Sequence, residues 1–423
     1  LSAFDALAVD SRILEQAPFS QVKDLEEEYP VAENEVEEDN TYLSFNMVVG
    51  NAMDSMLGVA FDVLDYALLS APGAPLKKAL LDAQIGKDIY GSYDDGVLQP
   101  FFSIVAKGAK TSQKEEFVST IRKCLQDIVK NGVDKKAILA GINYMEFRYR
   151  EADFGSYPKG LMYGLDILGS WLYDDENPFA QVKLLAIYDR LKEAVNEGYF
   201  EEIIRKWLLD NTHGTILTLI PKRGLAAKRE KDLEEMLEKY RSSLSDAELE
   251  ELVRKTKALE AYQESEENPE DLECIPMLKR SDIRREVEGF SNEELAVDDS
   301  LFLYQDVCTN GIGYVNVMFE IRDMEVEKVH YLGLLKSVLG YVDTKDYTYG
   351  QLFNEINART GGIQCGVDVF DKANDPEVFR TMFTIRGKAL YSQMDFLFQM
   401  MGEILNTSRL TDIKRLREII GEL

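Results

Sequence analysis

Ser70–Gly86, SAPGAPLKKALLDAQIG, sets small residues and prolines ahead of a short helix whose first turn carries Lys77 and Lys78. A glycine-rich turn running into a helix N-terminus with a lysine is how phosphates are cradled. The Gly-x-x-x-x-Gly-Lys-Ser/Thr order is missing here, and cations in a first helical turn oppose the helix dipole. The stretch therefore reads as a structural corner with an anion-tolerant surface. Arg359–Gly362, RTGG, has its glycines after a helix and reads as a helix stop. His213 and His330 have no His or Cys at ligand spacing, and Cys124, Cys274, Cys308 and Cys365 form no CxxC. The cysteines read as reduced, apolar-like residues of a reducing compartment. The carboxylate groups Asp94-Asp95, Asp174-Asp175-Glu176 and Asp298-Asp299 fall in expected turns, where Asp bonds to its own backbone.

The elements that must position these residues are drawn from 423 residues, enough for about two to three domains. The net charge of −28 argues against nucleic acid, whose phosphates demand basic groups, and favours basic partners. No uninterrupted apolar run of about 18 residues suggests a membrane span, and no signal or transit segment is read. The opening at Leu1 and the helical pattern IKRLREIIGEL at the end read as cuts from a longer polypeptide.

Residues 1–40 read as an exposed lead-in ending in an acidic run. TYLSFNMVVG alternates like a strand, and Leu57, Ala60, Phe61, Leu64 and Leu68 share one helical face. KDIYGSYDDGVLQPFFSIVAKG supplies two strands, SQKE caps a helix at Ser112, several helices follow, and HGTILTLIPK is a strand that Pro221 stops. From 223 to 282 the chain is charged, with one narrow apolar face on each of two helices parted by a Ser245/Glu248 capping box. That is a helical hairpin whose apolar face must lie on other domains. From Val287 the strand–helix alternation returns, with strands DSLFLYQDVC and IGYVNVMFEI.

The two halves repeat. Strand 42–49, helix 54–69, short helix 76–84, a Gly86 break and strand FFSIVAKG match strand 314–321, helix 326–340, helix 349–359, Gly361-Gly362 and MFTIRGK. The fold class expected is α+β: two homologous domains, each an antiparallel sheet with helices on one face, joined by the hairpin.

The stretches LLSAPGAPLKKALLDAQIGKDI, NTHGTILTLIPK, CIPMLKRSD, TNGIGYVNVMF and NEINARTGGI resemble, in order and spacing, the presequence-protease group of the pitrilysin/insulinase metallopeptidases, the inverted zincins. The resemblance implies four copies of one α+β domain, paired by a hairpin into a clamshell around a chamber for unfolded peptides. It makes 41–222 the second domain, 223–282 the hairpin and 283–423 most of the third, with the first and fourth missing. The family's H-x-x-E-H helix, where a Glu activates a zinc-bound water between two His ligands, is replaced by Asp62, Asp65 and Tyr66 in one copy and by Leu332–Lys336 in the other. No catalytic residue and no metal ligand is expected in this chain. Asp62 and Asp65 read as a solvated helix edge, and His213 as structural.

Zinc is then expected in the full-length parent and no cofactor in this chain. The implied function is a chamber-forming, substrate-anchoring portion of a zinc metalloendopeptidase. The resemblance carries a peptide-anchoring strand edge onto Ile89, Tyr90 and Gly91, with the Gly73-Ala74 turn beside it. Expected partners are unfolded peptides, basic ones suiting the acidic charge, and the missing domains, with neither nucleic acid nor membrane. A bacterial-type cytoplasmic setting is implied, with an organelle matrix as the other. The second reading is a catalytically inactive partner subunit or scaffold.

Overall fold

The computed structural model describes residues 10, 12–71, 73–266, 268–275, 277–283, 285, 286, 289, 292–298, 300–322 and 324–422. Residues 1–9 of the lead-in, Pro72 of the corner, Val287, Asp299 and Leu423 lie outside the described residues. The chain forms two compact units. One holds residues up to Tyr29, Val36–Pro221 and the chain from Thr309; the other holds Pro30–Glu35 and Lys222–Cys308.

In the first unit, β1 (Lys23–Val31), β2 (Thr41–Val48), β3 (Asp88–Asp94), β4 (Phe101–Ala109) and β5 (Gly214–Arg223) form a five-stranded sheet in the order β1-β5-β2-β4-β3. Leu43, Phe45 and Met47 alternate on the buried face of β2, while Ser44 and Asn46 turn to the opposite face. There Asn46 Oδ1 accepts from Ser44 and Ser103 hydroxyls, both at 2.7 Å. The period-2 pattern thus separates an apolar helix-bearing face from a polar one.

Helices α1 (Ser55–Asp65), α2 (Pro75–Asp82), α3 (Lys114–Asn131), α4 (Lys135–Glu151), α5 (Lys159–Trp171), α6 (Leu185–Ala194) and α7 (Tyr199–Ile204) complete this part. Asp54 caps α1, its carboxylate accepting from Leu57 N at 3.0 Å, and α1 continues through a wide π turn at Tyr66–Ser70. The apolar stretch 55–82 is long and apolar enough to cross a membrane by length and composition. It is interrupted at Ala71, and its apolar residues from Leu57 to Leu69 pack into the core.

Three expectations need correction. Residues 23–31, read within an exposed lead-in, form strand β1; charges on KDLEEEYPV hide a strand that lies at the sheet edge, where charge guards against stray pairing. Pro221 does not stop β5, which runs to Arg223, because pairing with β2 ends at Leu219 opposite Tyr42 and no ladder bond needs the missing N–H. Helix α3 begins at Lys114 after a 3₁₀ turn, and the side chain closing that turn is Gln113, accepting from Lys110 N at 3.0 Å, in place of the Ser112/Glu115 box.

In the second unit, α8 (Leu225–Ser243) and α9 (Asp246–Glu264) are parted by the Ser245/Glu248 capping box, with Ser245 N donating to Glu248 Oε2 at 2.9 Å. Leu233, Met236, Leu237 and Tyr240 of its apolar stripe are exposed. A short α10 (Pro269–Leu272) follows. Strand β6 (Glu293–Val297), which the sequence reading lacks, pairs antiparallel with β7 (Ser300–Tyr304).

The chain then returns to the first unit with β8 (Ile312–Ile321), α11 (Val329–Val338), α12 (Tyr349–Arg359), β9 (Ile363–Lys372), β10 (Asp375–Leu390), α13 (Met394–Thr407) and α14 (Ile413–Glu422). The sheet order is β8-β10-β9, antiparallel throughout. This repeats β2-β4-β3 strand for strand. The glycine breaks also correspond: Lys87 N donates to Lys107 O at 2.7 Å after Gly86, and Gly361 N donates to Lys388 O at 2.7 Å.

Candidate functional site

Strand β3 is the outermost strand of its sheet, paired on one side to β4 with Ile89 opposite Ala106 and Gly91 opposite Ile104. Ile89 is fully buried beneath the helices and Tyr90 is 44% exposed on the other face. Gly91 sits where a side chain has no room: a Cβ would meet Leu69, Asp65 and, at 3.2 Å, the Ser103 carbonyl. The π turn lets Leu69 and the following corner lie against the strand. Gly73 adopts φ +76°, where a glycine is favoured, and Ala74 N donates to Ala71 O at 3.0 Å. Lys77 reaches Asp88 at 3.7 Å and Lys78 pairs with Asp82 at 2.9 Å, so neither lysine is offered to a phosphate. The corner and the strand are brought together, as the sequence order suggests.

A cavity of about 690 Å³ opens on the far side of α1. It is walled by α1, α4, α5 and α6, by the turn after β3, and by the start of β9 and end of β10. Asp62 lines it, and burial, reinforced by Asp95 and Asp65, pushes its carboxyl up to about 7. Burial also raises Asp65, whose Oδ1 is enclosed without a hydrogen-bond partner while Oδ2 accepts from Ser70 Oγ at 3.1 Å. Neither is a solvated edge as the sequence suggests, because α4, α6 and β3 cover α1. Tyr66 stacks on Tyr144, ring centroids 5.1 Å apart. Asp62 faces the cavity, Asp65 faces Gly91 and Tyr66 lies in a ring stack, so these three do not converge on a point and do not fit a zinc ion. Among the described residues no group of three or more His, Cys, Asp or Glu is placed to hold a metal.

The cavity wall is also the seam between the two copies. From α4, Phe147 presses its ring on Gly361, whose Cβ would occupy the same space. Lys388 donates to both Glu151 oxygens at 2.6 and 2.8 Å, and its Nζ lies 5.5 Å from the Phe147 ring centroid. Tyr314 Oη donates to Glu151 Oε1 at 3.1 Å, and Asn143 Nδ2 to Ala358 O at 2.7 Å. Behind the seam, burial works to raise the Glu146 carboxyl, but bonds from Lys192 and Arg150 outweigh it and hold it low. The helix-stop reading of Arg359–Gly362 stands, with Thr360 N donating to Ile356 O at 2.8 Å.

His213 is buried against Phe19, ring centroids 4.7 Å apart, and burial together with nearby Lys23 depresses its pKa. That is a structural placement. All four cysteines are free; Cys274 and Cys308 are exposed, so the apolar-like reading suits only Cys124 and Cys365. Asp95, read as a turn residue, also lines the cavity, as do Tyr93, Arg148 and Asp166. Tertiary packing alone brings these four to one wall, and none carries a local sequence signal.

Residues 5–145 match the family described as Peptidase M16 inactive domain, and residues 219–423 match the family of domains associated with subfamily C of the M16 peptidases. Protein HypA of Clostridium perfringens is 38% identical over 422 residues, covering 100% of this chain and 43% of that protein. The chain belongs to the M16 peptidase family. Within it, it is presequence-protease-like: presequence protease 1, chloroplastic/mitochondrial, of Arabidopsis thaliana is 29% identical over 418 residues, 97% of this chain and 38% of that protein. A crystal structure of pitrilysin aligns with 14% identity over 90% of this chain and 38% of its own, at a TM-score of 0.42. The chain thus spans well under half the length of the curated relatives it matches. The portion matching the inactive domain is a non-catalytic portion of an M16 peptidase.

Proposed function

We propose that this chain is the chamber-forming, substrate-anchoring portion of a zinc-dependent metalloendopeptidase that degrades unfolded peptides. Residues 41–222 are then the second of four related domains, 223–282 the hairpin linker and 283–423 most of the third. Zinc and the catalytic glutamate belong to a first domain outside this chain, and a bacterial-type cytoplasm is the setting.

The observation that carries the reading is the free edge of β3. An outermost strand presents unpaired N–H and C=O groups, and an extended peptide gains affinity from them with little demand on its sequence. Ile89, Tyr90 and Gly91 supply that edge, and the Gly73-Ala74 turn flanks it. The net charge of −28 favours basic peptides through long-range attraction. The other reading, an inactive partner subunit, keeps the same edge and differs in its parent gene, which would lack H-x-x-E-H upstream of Leu1.

Hydrogen exchange with an unstructured basic peptide tests the edge. Residues 88–94 are expected to gain protection while β9, the corresponding strand of the second copy, does not. Equal exchange at β3 with and without saturating peptide rejects the anchoring role.

A further inference from the structure

The cavity at the seam has a charge pattern that neither the fold nor the seam uses. Asp62 from α1, Asp95 from the turn after β3 and Asp166 from α5 all line it. They are close enough to act on one another: Asp95 raises the pKa of both Asp62 and Asp166, on top of burial in each case. Among the described residues nothing donates a hydrogen bond to Asp62. The cations on the same wall are Arg148, which acts on Asp62 from beyond ion-pair distance and lies over the Tyr144 ring at 5.8 Å, and Lys388, which Glu151 already holds. Aromatic rings fill the gaps, with Tyr93 stacked on Phe61 at 5.8 Å and Tyr163 edge-on to Phe154 at 5.6 Å.

Repelling carboxylates on three separate elements would drift apart or be neutralised unless something of opposite charge is meant to sit among them. They are too dispersed for one metal ion. The volume of about 690 Å³ is that of a small-molecule site. Aromatic faces beside carboxylates attract alkylammonium groups by cation–π and ionic contact together.

We infer that this cavity binds an elongated organic cation bearing amino groups, with Asp62 and Asp166 as its anionic contacts and Tyr93 and Tyr163 as its aromatic walls. The amino groups come either from a free polyamine or from a lysine of a peptide. The inference stands apart from the anchoring role of β3, since the cavity and the strand edge lie on different sides of α1.

Calorimetric titration of the 423-residue chain with spermidine and, separately, with the tripeptide Gly-Lys-Gly tests it. Saturable binding of spermidine alone assigns the site to free polyamines; binding of both assigns it to lysine side chains as well. In either case Asp62→Asn and Asp166→Asn are each expected to weaken binding about tenfold, as loss of one charge-assisted contact does. The neutral isostere 1,5-pentanediol should not bind. Circular dichroism confirms folding of the variants, and Asp62→Asn removes a buried charge, which favours folding. Absence of saturable binding by either probe up to millimolar concentration, or unchanged affinity in both variants, overturns the inference. So does full competition by Mg²⁺ at matched ionic strength.

Discussion

The two copies share a strand order but bury themselves differently. In the first, β2 lies between β4 and β5, and Leu43, Phe45 and Met47 are all fully buried. In the second, β8 pairs with β10 and forms the edge of its sheet; Tyr314, Met318 and Phe319 along it are exposed, and Ile312 is its one fully buried residue. A strand with neighbours on both sides and helices above loses most of its surface; an edge strand with one neighbour cannot. The first copy is therefore the frame. The second leans on it through Phe147 against Gly361 and Lys388 against Glu151. The same glycine break serves both copies, but the first closes it on its own Lys107 carbonyl while the second also receives a ring from its neighbour.

Variants can break this asymmetry in graded steps. Gly361→Leu forces Phe147 out of its contact and should cost about 3 kcal/mol, the upper end of overpacking effects. Calorimetry should then show the second copy melting ahead of the first, whereas a single shifted transition would mean the seam does not set the order. Asp62→Asn acts on the frame with a pH signature. A carboxyl raised from 3.8 to about 7 binds its proton more tightly in the folded state, so stability is lost as pH rises between those values. Asp95 and Asp65 oppose its ionisation, Arg148 favours it, and Tyr93 and Tyr188 pack around it. The full shift corresponds to about 4 kcal/mol, and solvent in the cavity screens part of it. The variant should gain about 2 kcal/mol at pH 8 and almost nothing below about pH 4; an equal gain at both pH values would contradict that. Lys388→Met leaves Glu151 without its cation and should cost about 1–2 kcal/mol, with Glu151→Gln recovering about half in a double-mutant cycle. Additive losses would show that the pair contributes little to the seam.

Much of the fold was legible because the repeat is written in hydrophobic period: strand TYLSFNMV and its counterpart GYVNVMFEI, and helices reading every third or fourth residue. Strand β1 was not, because an edge strand can be charged along its length and KDLEEEYPV shows no alternation. The corner and the β3 edge were legible together since they are near in sequence. The cavity was not, because Asp62, Asp166 and Lys388 come from distant segments and only packing brings them to one wall. Asp62 and Asp65 illustrate the limit: i,i+3 carboxylates on an amphipathic helix look exposed until the elements covering both sides of that helix are known.

The most direct test joins both halves of the functional account in one measurement. The chain is incubated with zinc and an unstructured basic peptide, and mass spectrometry follows deuterium uptake at 88–94 and the mass of the peptide together. The account predicts protection of β3 and an intact peptide. Chelator-sensitive fragments, or an unprotected β3 at saturating peptide, would contradict it.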